Sequence, residues 1–214
     1  MRAEIEFLLA HAGRYLARAP KAADILSAFA GLRPLVKSGV GKTSKLSRSH
    51  RIVTAASGLV SIIGGKWTTS RLMGEDTVNH AATAGGLAAK VSTTKTLRLH
   101  GWREAGDDRT ALAEYGSDAE ELCALCEKMG DKPLRPSLPY GAGQVVWAVR
   151  REMARTVGDV LSRRLRALML DARAAVETAP EVARIMALEL GRDADWEKRQ
   201  VEGFGEVAKG YLEG

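Results

Sequence analysis

Six consecutive residues, Gly64-Gly65-Lys66-Trp67-Thr68-Thr69, carry the clearest chemical signal in the chain. Glycines let a ligand approach the backbone closely, a lysine follows as a cation, and the threonines are suited to opening a helix. The free N–H groups and positive dipole end of such a helix start favour an anionic ligand atom. An ordinary capped helix behind a tight turn has the same composition, so the residues alone leave both readings open. Arg33, within Phe29-Ala30-Gly31-Leu32-Arg33-Pro34-Leu35, is the second candidate. Pro34 disfavours helical geometry at Arg33, and an arginine fixed there can grip a phosphate or carboxylate through two parallel bonds. A surface arginine is the commoner case for any single Arg.

Other motifs fail on inspection. Gly41-Lys42-Thr43 has the ending of a phosphate-cradling loop, but Val36 stands where G-x-x-x-x-G-K-[ST] requires glycine. Gly65-Lys66 fails likewise, with Val60 in the required place. No G-x-G-x-x-G sits between a strand and a helix, which excludes a dinucleotide fold from these residues. Cys123-Ala124-Leu125-Cys126 has redox spacing, yet its acid-rich surroundings raise thiol pKa values and point to helix packing. No spacing reads as a metal site. His50 belongs to the basic stretch and is a candidate to face a site; His11, His80 and His100 read as surface or core residues.

The charge around these candidates is uneven. Eight Lys and Arg and no acid fall within residues 33–71, although the whole chain carries only +6. Without those eight the remainder is slightly acidic, and Trp102 to Asp131 holds nine acids against three bases. Such a cluster holds an anion far better than the net charge implies. One short cluster and an aromatic content of 5% argue against nucleic acid as a partner.

The elements that must position these residues follow from periodicity. Ala3–Arg18 has helical spacing, Ile25–Val36 reads as a strand running into a turn, and Gly39–Ser49 as a loop. Arg51–Ala55 and Leu59–Ile63 read as strands around Ala56-Ser57-Gly58, followed by a helix from Trp67 to Lys90. After a polar connection come helices over Ser117–Met129, Gln144–Ala154, Val157–Ala175, Pro180–Leu190 and Asp193–Leu212, with Pro133, Pro136 and Pro139 as breaks. The expected class is an α+β fragment followed by an all-α part, divided into residues 1–97 and 98–214. About three strands are a thin sheet on which to close a core, so the first part reads as the end of a larger domain.

The chain has 214 residues, 45% hydrophobic and 27% charged, the balance of a folded protein. Two cysteines exclude a disulfide framework and make a reduced, intracellular compartment the default. The N-terminus has no signal-peptide pattern, and no apolar run reaches the ~20 residues of a membrane span. Val160–Leu170, with Arg163, Arg164 and Arg166 among leucines, is a candidate for contact with an anionic membrane surface, though a helix packed on its neighbours is the plainer reading.

Taken together, Ser27 to Leu35, Leu46-Ser47-Arg48-Ser49-His50, Ser57-Gly58-Leu59 through Gly64 to Thr69, and Glu75-Asp76 resemble the C-terminal third of the FAD-dependent glycerol-3-phosphate dehydrogenases. Glu152 to Thr156 and Asp159 to Arg164 are similar to that family's helical cap. The resemblance implies the last strands and helix of an FAD/substrate-binding domain followed by a C-terminal helical cap domain. It implies a flavin oxidoreductase that takes hydride from sn-glycerol 3-phosphate, giving dihydroxyacetone phosphate, and passes electrons to quinone, or to oxygen in the related oxidases. It assigns Arg33 to the substrate phosphate, and Lys66, between flavin and substrate, a catalytic and substrate-binding role. His50 joins the substrate side, while Gly64, Gly65, Lys66, Trp67, Thr68 and Thr69 face the flavin.

The family usually continues Thr-Thr-Tyr-Arg, whereas here Ser70 and Arg71 follow Thr69. The family's N-terminal glycine fingerprint is absent, so a fragment with little FAD affinity and no activity alone is expected. The resemblance also leaves room for a homodimer and implies a cytoplasmic location, peripheral on the inner face of the cytoplasmic membrane. The competing class is a non-enzymatic binding module that keeps a basic anion pocket without flavin.

Overall fold

A computed structural model describes residues 2–32, 49–104, 112–130 and 132–212. The chain divides into two units: Met1–Ala30 with Gly101–Gly214, and Gly31–His100. The smaller unit is built on two antiparallel strands, β1 (His50–Thr54) and β2 (Val60–Gly64), with Ile52 opposite Ile62 and His50 opposite Gly64. The hairpin follows the expected strands within a residue. A 3-10 turn, Trp67–Thr69, then leads into helix α2 (Ser70–Ala84). The expected helix to Lys90 is therefore shorter, because Gly85 and Gly86 stop it at Ala84. Two strands, rather than three, occur among the described residues of this unit, and none of those residues is buried.

The larger unit carries the core. Helix α1 (Arg2–Ala12) is followed by α3 (Ala119–Lys128), a short hairpin of β3 (Pro133–Arg135) and β4 (Leu138–Gly141), then α4 (Ala142–Arg151). A π-helical turn, Asp159–Arg164, precedes α5 (Ala167–Leu170), α6 (Ala172–Leu190) and α7 (Ala194–Leu212). Val145, Val157, Val160, Leu165, Leu168, Val182 and Met186 are almost completely buried in one cluster, joined by Phe204 and Ala208 of α7. At full burial each such side chain contributes roughly 1.5–3 kcal/mol to holding this unit together. No helix of the described residues is long and apolar enough to cross a membrane.

Several elements differ from expectation for identifiable reasons. The strand expected over Ile25–Val36 is absent from its described part; the backbone of 26–28 bonds to helix ends instead of to a strand. Helix α1 stops at Ala12, short of Arg18. Val157–Ala175 is not one helix, since Arg166 takes a left-handed conformation and Asp171 an extended one. Asp171 then caps α6, accepting from the Ala174 N–H at 2.9 Å. Helix α6 runs through Pro180, where two helices were expected. An interior proline costs about 3 kcal/mol; buried Thr178, Ala179, Val182 and Ala183 on both sides of it outweigh that. The prolines at 133, 136 and 139 do not simply break the chain: they sit at the start, turn and exposed edge of the β3–β4 hairpin, with Leu138 and Tyr140 buried on its other face. Residues 1–30 group with the helical unit, a partition different from a single boundary at 97. Of the leucines and valines in Val160–Leu170, Val160, Leu161, Leu165 and Leu168 are buried in the core while Leu170 is exposed, so most of that stretch's apolar surface is spent on packing within the helical unit.

Candidate functional site

The Gly64–Thr69 segment lies where strand β2 turns into the helix. Gly64 and Gly65 have φ of 75° and 84°, a region that L-residues with side chains rarely adopt. Gly65 is also tightly packed: a Cβ there would lie 2.4 Å from Met73 Sδ and 3.2 Å from His50 Cβ. The turn is thus pressed against α2 on one side and β1 on the other. Lys66 is extended (φ −129°, ψ 150°) and exposed, and the helix begins immediately after it. The Thr69 hydroxyl donates to the Lys66 carbonyl at 3.0 Å, and the Thr69 N–H reaches the same oxygen at 3.0 Å. The N–H groups of Trp67 and Thr68 have no partner within the helix, as at any helix start. Trp67, 91% exposed, stands out from this turn.

His50 is placed beside the glycines by the β1–β2 register. Its Nε2 lies 2.8 Å from Asp76 Oδ2 on α2, and its side chain is only 18% exposed. Asp76 is the residue that sequence reasoning did not select for the site, though it was part of the Glu75-Asp76 match. The pairing spans 26 residues and becomes visible only once α2 folds back on β1. Arg71 bonds Glu75 one turn on and donates to Thr94 Oγ1 at 3.2 Å, tying the segment after α2 to the helix that starts at the candidate turn. The structure therefore brings together His50, Gly64, Gly65, Lys66, Trp67, Thr68 and Thr69. Arg33, with the 39–48 loop, lies outside the described residues.

The donor set fits the group the resemblance implies only in part. Exposed N–H groups at a helix start, two left-handed glycines and an adjacent lysine suit the polar edge of a flavin ring carrying negative charge. The residues that would cradle a dinucleotide pyrophosphate are not in this sequence.

A second concavity lies wholly in the helical unit. Glu114, Tyr115, Glu152, Arg163 and Arg164 line a cleft of about 350 Å³. Burial pushes the Tyr115 hydroxyl up to about 12, against a hydrogen bond from Gln144, and burial also raises Glu152. Two acids face two arginines here, so the cleft is not an anion site of the kind residues 33–71 suggest. Of the two cysteines on α3, Cys126 is buried in the helix packing expected of the pair, whereas Cys123 is exposed. No group of three or more His, Cys, Asp or Glu that could hold a metal occurs among the described residues.

Comparison with known proteins bears on both units. Residues 107–198 match the C-terminal domain of alpha-glycerophosphate oxidase. A probable mitochondrial glycerol-3-phosphate dehydrogenase of Caenorhabditis elegans is 35% identical across 93% of this chain and 31% of its own length. By sequence the chain matches a C-terminal portion of the glycerol-3-phosphate dehydrogenases. The mitochondrial glycerol-3-phosphate dehydrogenase of Bos taurus is 32% identical over 98% of the chain and 32% of its own length. That of Arabidopsis thaliana is 31% identical over 98% and 38%. The chain thus spans about a third of the length of the curated relatives it matches.

Proposed function

We propose that this chain forms the C-terminal portion of an FAD-dependent glycerol-3-phosphate dehydrogenase, inactive alone, in an enzyme that oxidises sn-glycerol 3-phosphate to dihydroxyacetone phosphate. The observation that carries this reading is the Gly64–Thr69 turn, a helix start with exposed donors held against His50, in a chain alike over nearly its whole length to enzymes of that name. Bound FAD supplies a two-electron acceptor for the hydride of substrate C2. Every remaining role belongs to protein groups.

Arg33 binds the substrate phosphate through two parallel bonds, which fixes one end of a flexible three-carbon molecule. Lys66, exposed directly before the helix start, would place a cation near the substrate oxygen and favour the negative charge that develops there as the hydroxyl proton is removed. The N–H groups of Trp67 and Thr68 receive negative charge at the helix start. With Nε2–H donated to Asp76, His50 presents Nδ1 as an acceptor for a substrate hydroxyl, and Asp76 holds the ring in that orientation. The hydroxyl proton passes to His50 Nδ1 as the C2 carbonyl forms, and the C–H electron pair leaves C2 with the hydride.

Electrons then pass to quinone at the inner face of the cytoplasmic membrane, where the enzyme is peripheral and homodimeric; this much rests on the family resemblance alone. The test is to join the chain to the preceding portion of the Caenorhabditis elegans relative and assay sn-glycerol 3-phosphate oxidation with a soluble electron acceptor. Stoichiometric flavin and turnover, with KM raised at least tenfold by Arg33→Ala, is the expected result. A flavin-loaded but inert enzyme, or an Arg33→Ala variant with unchanged KM, defeats the reading.

A further inference from the structure

Glu114, Tyr115, Glu152, Arg163 and Arg164 line a cleft of about 350 Å³ within the helical unit, a size suited to a small organic ligand. Each of the three segments that supply them is irregular at this point. Glu114 and Tyr115 belong to a 3-10 stretch, Ala113–Asp118, in which Gly116 takes φ 57° and ψ −122°. Glu152 ends α4, and Met153 follows it in a left-handed conformation, φ 56°. Arg163 and Arg164 close the π-helical turn, and Arg166, two residues on, is left-handed as well. Met153 and Arg166 are the two non-glycine residues with positive φ among the described residues, and both adjoin this one cleft. Such backbone is costly for a residue with a side chain and persists where the surroundings impose it, commonly at ligand sites.

The charges of the cleft sum to zero, yet they do not close on one another. Arg163 turns to Asp159, 3.2 Å away on its own turn, and Glu114 takes a hydrogen bond from Arg166 at 3.2 Å. Arg164 donates at 2.6 Å to the Glu152 backbone carbonyl rather than to its carboxylate. That carboxylate is half-buried and takes a hydrogen bond from the Trp147 indole, while Glu114 and Asp118 add to the negative field around it. Tyr115 accepts from Gln144 Nε2 at 3.4 Å, which leaves its own proton for another acceptor. Opposite charges are therefore fixed on the two flanks of an open cleft, each anchored to its own flank. A lone cation or anion entering it meets like charges as well as opposite ones; a molecule carrying both signs meets two complementary ends.

We propose that this cleft binds a small zwitterion, its ammonium on the Glu152 carboxylate and its carboxylate or phosphate on Arg163, Arg164 and the Tyr115 O–H. The proposal lies outside the glycerol-3-phosphate reaction and does not rest on it. The test is calorimetric titration of the chain with O-phosphoethanolamine and with β-alanine, which separates a phosphate end from a carboxylate end. Ethanolamine and inorganic phosphate serve as the single-charge halves. Saturable binding of one of the two zwitterions, at least about tenfold tighter than either half, is expected, with a shift of the Trp147 indole N–H resonance. Glu152→Gln and Arg163→Gln should each weaken it at least about tenfold. Should either variant fail to fold, Tyr115→Phe replaces it, with an expected weakening of about fivefold. No saturation by either zwitterion overturns the proposal, as does equal affinity for a half. Binding that leaves the Trp147 resonance unmoved, or that survives any of the substitutions tested, overturns it too.

Discussion

Gly143→Ala and Gly203→Ala are the same chemical change on two helices of one unit, and the structure assigns them opposite signs. Gly143 is buried in the first turn of α4, where that helix crosses α3. A Cβ there would lie 2.7 Å from Cys126 Cα, 2.7 Å from Cys126 Sγ and 2.9 Å from Cys126 N. Two of these three atoms are backbone, so no rotamer change relieves the clash and α3 must move away. The displacement would loosen Leu122, Cys126 and Trp147, which form a small cluster of their own at this crossing. Overpacking of this kind costs about 1–3 kcal/mol. Alanine recovers at most about 1 kcal/mol of helix propensity in a helix interior, and less in a first turn. The expected net is a loss of about 1.5 kcal/mol, or about 3–6 °C in Tm for a unit of this size. At Gly203, within α7, an added Cβ meets nothing within 4 Å. There only the propensity gain remains, and stability should rise by up to about 1 kcal/mol. Urea unfolding followed by far-UV circular dichroism, which reads chiefly the helical unit, measures both. A Gly143→Ala protein as stable as the parent would refute the tight α3–α4 crossing.

Three further outcomes follow from polar groups. Burial lifts the Tyr115 hydroxyl from 10.0 to about 12, so the folded state holds this proton more tightly than the unfolded chain does. Its contribution is therefore whole below pH 10 and lost as pH rises toward 12; Tyr115→Phe should flatten the alkaline arm of a pH–stability profile. At Asp159 burial raises the pKa, but the N–H groups of Arg155 and Thr156 and the Thr156 hydroxyl outweigh it and hold the carboxyl below its ordinary value. That stability is present above the unfolded carboxylate range and lost as pH falls through the lowered folded value. Asp159→Ala removes a capping box in which the Thr156 N–H donates to Asp159 Oδ2 and the Asp159 N–H donates to Thr156 Oγ1, both at 3.0 Å. It should cost about 1 kcal/mol at neutral pH in the same urea assay. Asp76→Asn weakens the bond that holds His50 on β1; because Asp76 is partly exposed, the loss should be below about 1 kcal/mol. It should appear as faster hydrogen exchange in β1, β2 and α2 only, and equal acceleration in the helical unit would contradict the pairing.

What could be read from the sequence was local. The β1–β2 hairpin and the candidate turn follow from short-range cues: alternating apolar residues around Ala56-Ser57-Gly58, then paired glycines before a lysine and threonines. The end of α2 was equally written in Gly85-Gly86, and the longer helix expected there overrode a plain stop signal. The failures are tertiary. Leu26–Phe29 has the apolar composition of a strand but forms none, and its partners are helix ends more than 140 residues away. Pro180 is a helix breaker in any short window, and only the buried surface on both sides of it keeps α6 whole. Leu138-Pro139-Tyr140 has the alternation of a strand, hidden by a proline that sits harmlessly on the exposed face.

The same contrast explains why the site could be recognised by pattern but not assembled from it. The described residues of the smaller unit bury no side chain, so hydrophobic packing does little to fix the Gly64–Thr69 turn in the chain as it stands. Its geometry depends instead on backbone conformation and a few polar links: two left-handed glycines, Thr69 on the Lys66 carbonyl, Met73 against Gly65, and His50 on Asp76. Of these, the glycines and Thr69 are contiguous and legible, whereas Met73 and Asp76 act across the fold and are not. A two-stranded hairpin with one helix is marginal by itself in water. The helical unit, by contrast, has an extensive buried core. The division is therefore physical: the described candidate residues fall in a unit that buries no side chain, and the packed core belongs to the helical unit.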